Sequence, residues 1–257
     1  MVKENVINTH WENAARAVED LCVVLLFIET AGFVSAFAIF IKLIYKLIKS
    51  RKESKIDTVI LDVGKVLVDF TPEEFLEKKG ISKEKIPLVA DAVMYIDIWE
   101  EFDRGIMTEE ETLSQFIEAS KKLEKEIRIA FGNLNGILKK YDYTELWISE
   151  LKKRGYRILF LSNLSEKLYR ECSEELSFVS RMDGGVFSFQ VKMKKPEADI
   201  YTYIIEKYKL TPEQCVFIDD REKNLWEAEN AGMKTILFTS VKDVSKRIKL
   251  MRLLMML

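Results

Sequence analysis

Short apolar runs that alternate with helical stretches constrain this chain more than any other feature of its sequence. Residues 56–61 (IDTVIL), 157–163 (RILFLSN), 186–190 (VFSFQ), 215–220 (CVFIDD) and 234–239 (KTILFT) read as strands. They are rich in β-branched, aliphatic and aromatic residues and lack the strict polar alternation of a half-exposed strand. Helical patterns at about 165–175, 197–208 and 221–231 separate the later ones. Strands alternating with helices predict an α/β fold: a doubly wound, Rossmann-like parallel sheet, with its working residues at the carboxyl ends of the strands. Residues 72–153 break the rhythm, because they are dense in Glu and Lys at helical spacing and show no convincing strand. That stretch predicts a helical cap inserted after the first strand. Within it, Thr108 and Glu111 form a capping-box pattern that opens a helix. Gly155 follows ELWISELKKR as a helix stop.

Composition narrows the chemistry. The only histidine is His10, so catalysis in the α/β part falls to carboxylates, hydroxyls, lysines or cysteines. Cys22, Cys172 and Cys215 are far apart and form no CxxC pair, which excludes a zinc finger and a disulfide framework. Lys and Arg total 40 against 42 Asp and Glu, a net charge of −2, so the chain lacks the basic footprint of a nucleic-acid binder. At 48% hydrophobic and 32% charged residues, global disorder is excluded as well.

The first fifty residues form a separate object. Residues 21–41 (LCVVLLFIETAGFVSAFAIFI) carry one charge, Glu29. As a helix they span about 31 Å, close to a bilayer's hydrocarbon thickness. The preceding flank is acidic, with Glu4, Glu12, Glu19 and Asp20 against Lys3 and Arg16. The following flank carries Lys42, Lys46, Lys49, Arg51, Lys52 and Lys55 against Glu53. Positive charge marks the cytoplasmic side. The expectation is an N-terminal hydrophobic helix that anchors the protein in a membrane, with the rest in the cytoplasm. If that segment does not span, the whole chain is expected to be cytoplasmic.

Four polar clusters fall at or just after strand ends. Asp62 closes the first strand, in LDVGKVLVDF; Ser162 and Asn163 close the second; Lys195 follows the third, in MKKPEADIY; and Asp219 and Asp220 close the fourth, in FIDDREKN. Each cluster alone has an ordinary reading as a cap or a turn. The ordered set is far more specific.

In that set the chain resembles the haloacid dehalogenase-like (HAD) hydrolases over about residues 57–240, and above all the bacterial sugar-phosphate phosphatases with a small helical cap. The resemblance rests on the DxGxV, LSN, KPE and DDxxxN patterns. It implies that Asp62 is the nucleophile, that Ser162 with Asn163 beside it holds the transferring phosphoryl group, and that Lys195 neutralises charge. It also implies Mg2+ held by Asp62, Asp220 and the Gly64 carbonyl, with Asp219 and Asn224 orienting that shell. The implied domains are an extension at 1–53, a core at 54–71 and 146–257, and a cap at 72–145. The implied partner is a small phosphate ester. The charges fit such a site: a carboxylate attacking a phosphate dianion needs cations on the same phosphate, and Mg2+ prefers carboxylates with phosphate and water oxygens.

One position departs from the family pattern. Most phosphatases of this superfamily carry a second Asp two residues after the nucleophile as acid and base, and here that place is Gly64. The expectation is slow turnover or a preference for good leaving groups; Asp69 is the nearest spare carboxylate and reads as a loop or cap contact rather than the acid. Two other readings stand beside the phosphatase: a catalytically impaired binding or scaffold protein, and more weakly a 2-haloacid dehalogenase. In the cap, Trp99, Phe102, Asp103 and Arg104 are expected to face the site. The apolar tail 248–257 is expected to be either a last helix packed on the sheet or a partner surface.

Overall fold

The structure is a computed structural model that describes residues 40–42 and 56–254. Among the described residues no helix is long and apolar enough to cross a membrane. The expected span 21–41 lies outside the described residues apart from its last two positions.

Among the described residues seven strands follow in chain order: β1 (Thr58–Leu61), β2 (Val68–Phe70), β3 (Leu138–Lys140), β4 (Arg157–Ser162), β5 (Gly185–Phe187), β6 (Cys215–Asp219) and β7 (Lys234–Leu237). Five of them form one sheet in the order β5-β4-β1-β6-β7, and every neighbouring pair is parallel. The apolar runs are continuous because both faces of this sheet are covered. Val59, Leu61, Ile158, Phe160, Val216 and Ile218 point into one core cluster. Ile60, Leu159, Leu161, Cys215 and Phe217 point into the other. Along each strand successive side chains therefore enter opposite cores.

Five helices, Pro72–Lys78, Ile86–Val93, Asp97–Arg104, Glu109–Ala119 and Glu124–Gly132, lie between β2 and β3. The Thr108–Glu111 capping box forms as the sequence predicts. Phe131 knits this helical part together, with ring centroids 5.2 Å from Phe102 and 5.4 Å from Phe116. β2 and β3 pair antiparallel, so the chain leaves the sheet and returns to it side by side. β3 corrects the expectation that 72–153 holds no strand. Its three residues, LKK, are too few and too polar to stand out as a run.

A second correction concerns residues 186–190. The strand stops at Phe187, and Ser188–Val191 is a short helical turn. The buried Ser188 hydroxyl donates to the Asp103 carbonyl at 2.5 Å and accepts from the Leu164 amide at 2.9 Å. Those bonds pull the backbone out of the sheet. At the C-terminus, helix Val241–Leu254 buries Val244 and Ile248 in the first core cluster, with Met251 packed against it. Residues 248–251 thus belong to a last helix packed on the core.

Candidate active site

The four clusters meet at the carboxyl end of the sheet. β1 delivers Asp62, whose backbone N–H donates to the Ile218 carbonyl of β6. Ser162 is the last residue of β4 and Asp219 the last of β6. Lys195 comes from the loop after Ser188–Val191 and is 2% exposed. Its ammonium lies 2.8 Å from Asp62 Oδ1 and 2.6 Å from Asp219 Oδ2.

Asp219 is wholly committed to this scaffold. Besides Lys195 it accepts from the Arg221 amide at 2.8 Å and from Asn224 Nδ2 at 2.9 and 3.0 Å. It does not border the cavity above, whereas Asp62, Gly64, Ser162, Asn163, Lys195, Asp220 and Asn224 do. Asp219 therefore holds other groups in place, and Asn224 supports it from the edge of the cavity.

Charge balance explains the titration behaviour. Burial, reinforced by Asp219 and Asp220 and only partly opposed by Lys195, pushes the Asp62 carboxyl up to about 7. Burial and the neighbouring Asp219 also raise Asp220. For Lys195, burial disfavours the charge, but Asp219 and Asp62 outweigh it and keep the ammonium protonated. Lys195 contacts two of the three carboxylates, Asp62 and Asp219, and forms no ion pair with Asp220.

That surplus of negative charge fits a hard divalent cation. One oxygen each of Asp62, Asp219 and Asp220 lies within 4.8 Å of the others, and the buried Asn224 Oδ1 has no hydrogen-bond partner. All these donors are oxygens, the set Mg2+ prefers. With Asp219 occupied by Lys195 and Asn224, the side chains left for a metal are Asp62 and Asp220, beside the backbone of Gly64.

Asn163 sits differently from the expectation. Its side-chain amide donates to the Lys195 carbonyl at 2.9 Å and accepts from the Lys195 amide at 2.8 Å. Both ends of the amide thus grip the backbone of the lysine, and the residue borders the cavity from there.

The cap residues divide. Trp99 and Asp103, four apart on helix Asp97–Arg104, share the face that borders the cavity. Phe102 and Arg104, expected on that face, do not reach it. Phe102 packs on Phe131, and Arg104 pairs with Glu101 at 3.1 Å and with Glu197. Sequence reasoning passed over Lys194, which joins this cap helix to the loop carrying Lys195. Its ammonium meets Glu100 at 3.0 Å and Glu101 at 2.8 Å. The only sequence signal for that link was the doubled lysine in MKKPE.

Asp69 is no spare acid. Burial works against its charge, but the hydrogen bond and charge of Lys65 at 2.8 Å hold the carboxyl below its ordinary range.

The sequence profile of the haloacid dehalogenase-like hydrolases matches residues 56–232. The chain belongs to that family. The D-ribitol-5-phosphate phosphatase of Bacteroides thetaiotaomicron is 24% identical over 193 residues, covering 70% of this chain and 90% of that protein. The sesquiterpene phosphatase astK of Aspergillus oryzae is 21% identical over 175 residues, covering 68% and 85%. Drimenol cyclase drtB of Aspergillus calidoustus is 23% identical over 193 residues, covering 74% of this chain, which spans only 35% of that longer relative. Among solved structures, a HAD family enzyme from Bacteroides thetaiotaomicron in complex with magnesium and inorganic phosphate superimposes with a TM-score of 0.55 at 22% identity. The match covers 72% of this chain and 94% of that one, and shows the shared HAD fold. The HAD chain described here is thus a hydrolase of a family whose named relatives include phosphatases.

Proposed function

We propose that this HAD hydrolase is a Mg2+-dependent phosphatase that cleaves a small phosphate monoester through a phosphorylated Asp62. The observation that carries the reading is the buried ammonium of Lys195, 2.8 Å from Asp62 in the cavity that Ser162 and Asp220 also border.

Asp62 attacks phosphorus, forming the Asp62 O–P bond as the bond to the leaving alkoxide breaks. Lys195 offsets the repulsion between carboxylate and phosphate dianion, and the Ser162 hydroxyl holds a non-bridging oxygen. Water then attacks the same phosphorus, releasing inorganic phosphate and restoring the carboxylate. Asp62, Asp220 and the Gly64 carbonyl would hold Mg2+, which when bound would add positive charge beside the phosphate. Asn163 keeps Lys195 in place, and Asp219 fixes its ammonium. The division into a core at 54–71 and 146–257 and a cap at 72–145 belongs to the same reading, with Trp99 and Asp103 on the cap side of the cavity.

The resemblance implies a sugar phosphate, and the D-ribitol-5-phosphate phosphatase supports that class. The sesquiterpene phosphatase supports an apolar one. The acidic surplus around Lys195 favours phosphoryl transfer over dehalogenation, which needs no metal. A scaffold that had lost its chemistry has no need of a lysine buried between two aspartates, because burying charge is costly.

Hydrolysis of 4-nitrophenyl phosphate that requires Mg2+ and stops on chelation is the expected result; metal-independent turnover would contradict the reading. The proposal also keeps residues 21–41 as a membrane anchor with the hydrolase on the cytoplasmic side, supported by the apolar span and its charge asymmetry. Release of the full chain from membranes by alkaline extraction would remove that part.

A further inference from the structure

The cavity of about 440 Å³ at the carboxyl end of the sheet has two unlike parts. Its floor is the charged cluster around Asp62 and Lys195. Its walls are Phe70 on β2, Leu138 on β3, Met94, Ile96 and Trp99 on the cap, and Leu168 on helix Glu166–Glu171. Four of these are buried, while Phe70 and Ile96 are half-buried and face the open space.

Polar side chains border the walls too, but most of them are committed to partners other than a ligand, Asp97 and Arg221 at the exposed rim being the least engaged. Glu100 pairs with Lys194 at 3.0 Å and lies 3.8 Å from Arg221 and 3.7 Å from Lys223. Lys65 donates to Asp69 and to the Phe70 carbonyl, both at 2.8 Å. The Tyr95 hydroxyl donates to Glu73. Asp103 accepts hydrogen bonds from Ser165 and Trp99, and its unpartnered Oδ1 is sealed from solvent. Asp97 stands exposed at the first residue of the cap helix.

A polyol phosphate carries several hydroxyls, each of which gives up water on entering. Walls that return few hydrogen bonds make that exchange unfavourable. A hydrocarbon group loses nothing there and gains by leaving water.

We infer that the organic part of the substrate is apolar: the chain takes alkyl or aryl phosphate monoesters in preference to sugar or polyol phosphates, with the hydrocarbon lodged against Phe70, Ile96 and Trp99. The inference rests on the phosphatase reading and names the substrate class of that same site.

The test is a homologous series, methyl to hexyl phosphate, hydrolysed by the full chain with Mg2+, alongside glycerol 3-phosphate and ribitol 5-phosphate. The longer alkyl leaving groups are almost equally basic, so the trend along the series reads binding rather than chemistry. Binding of the non-reacting part appears in kcat/KM. The expected result is a rise of about fourfold per methylene until the cavity is filled, the factor that corresponds to about 0.8 kcal/mol at 1.4 kcal/mol per decade. Hexyl phosphate should also exceed both polyol phosphates, and Phe70→Asn should flatten the slope. A flat or falling series in the wild type, or a polyol phosphate preferred to pentyl phosphate, overturns the inference whether or not the variant folds. If the wild type hydrolyses neither these esters nor 4-nitrophenyl phosphate, the phosphatase reading itself falls and takes the inference with it.

Discussion

Both ends of the Asn163 amide bond the backbone of Lys195, at 2.9 Å and 2.8 Å. These residues lie 32 apart in sequence and join the end of β4 to the loop that delivers the only ammonium contacting Asp62 among the described residues. The pairing fixes where the lysine emerges, and Asp219 fixes where its charge ends.

Asn163 should therefore act through Lys195. Lys195→Met removes the cation that offsets the nucleophile's charge, and turnover should fall by about 10²–10³-fold, the scale of losing one preorganised stabilising group. Asn163→Ala should cost about tenfold alone and almost nothing further in the Lys195→Met background. A double-mutant cycle measures this coupling. If the two losses simply multiply, Asn163 acts on the phosphate directly.

Gly64 leaves room for the missing acid. A Cβ placed there meets no heavy atom within 4 Å, and the residue is not among those with positive φ. Gly64→Asp should fold with a melting temperature close to that of the wild type. It should also raise turnover of simple alkyl phosphates relative to aryl phosphates by up to about 10²–10⁴-fold, the usual range of general acid catalysis. A variant that folds but shows the wild-type dependence on leaving group would show that another group already supplies the proton.

Asp103 gives the fold a pH signature. Burial, helped by Glu100 and opposed by hydrogen bonds from Ser165 and Trp99, pushes its carboxyl from 3.8 to about 7. The folded state therefore keeps a proton that the unfolded state sheds as pH rises from about 4. The stabilising contribution is full below the unfolded value and lost by about pH 7, with a slope of up to about 1.4 kcal/mol per pH unit. Asp103→Asn should flatten the fall in unfolding free energy between pH 4 and 7, as read by urea titration. Asp62 contributes a slope of the same sign in both proteins, so the difference between them is the measurement. Parallel pH profiles would mean that Asp103 is ionised when folded.

The five strands of the main sheet were legible because each carries an apolar run, although the run at 186–190 leaves the sheet after Phe187. Asp62, Ser162, Lys195, Asp219 and Asp220 were legible because a parallel sheet gathers its strand ends at one edge. β2 and β3 were not, since three residues pairing across nearly seventy positions leave no local pattern. The helical turn at Ser188 depends on the Asp103 carbonyl, 85 residues away. The grip of Asn163 on Lys195 is equally non-local, and SN reads only as a turn. In the cap, Trp99 and Asp103 share a helical face by spacing, but Arg104 turned outward to Glu197, a partner no local pattern could name.

The most direct test of the central claim is chemical trapping of the phosphorylated carboxylate. The enzyme is mixed with Mg2+ and excess aryl phosphate, quenched in acid, reduced with borohydride and mapped by peptide mass spectrometry. Borohydride converts an acyl phosphate of aspartate to homoserine and leaves a free carboxylate untouched. The account predicts homoserine at position 62 in the wild type, and no trapped adduct and no turnover in a folded Asp62→Asn variant. Turnover by that variant at the wild-type rate, or a trapped adduct at any other aspartate, would contradict it.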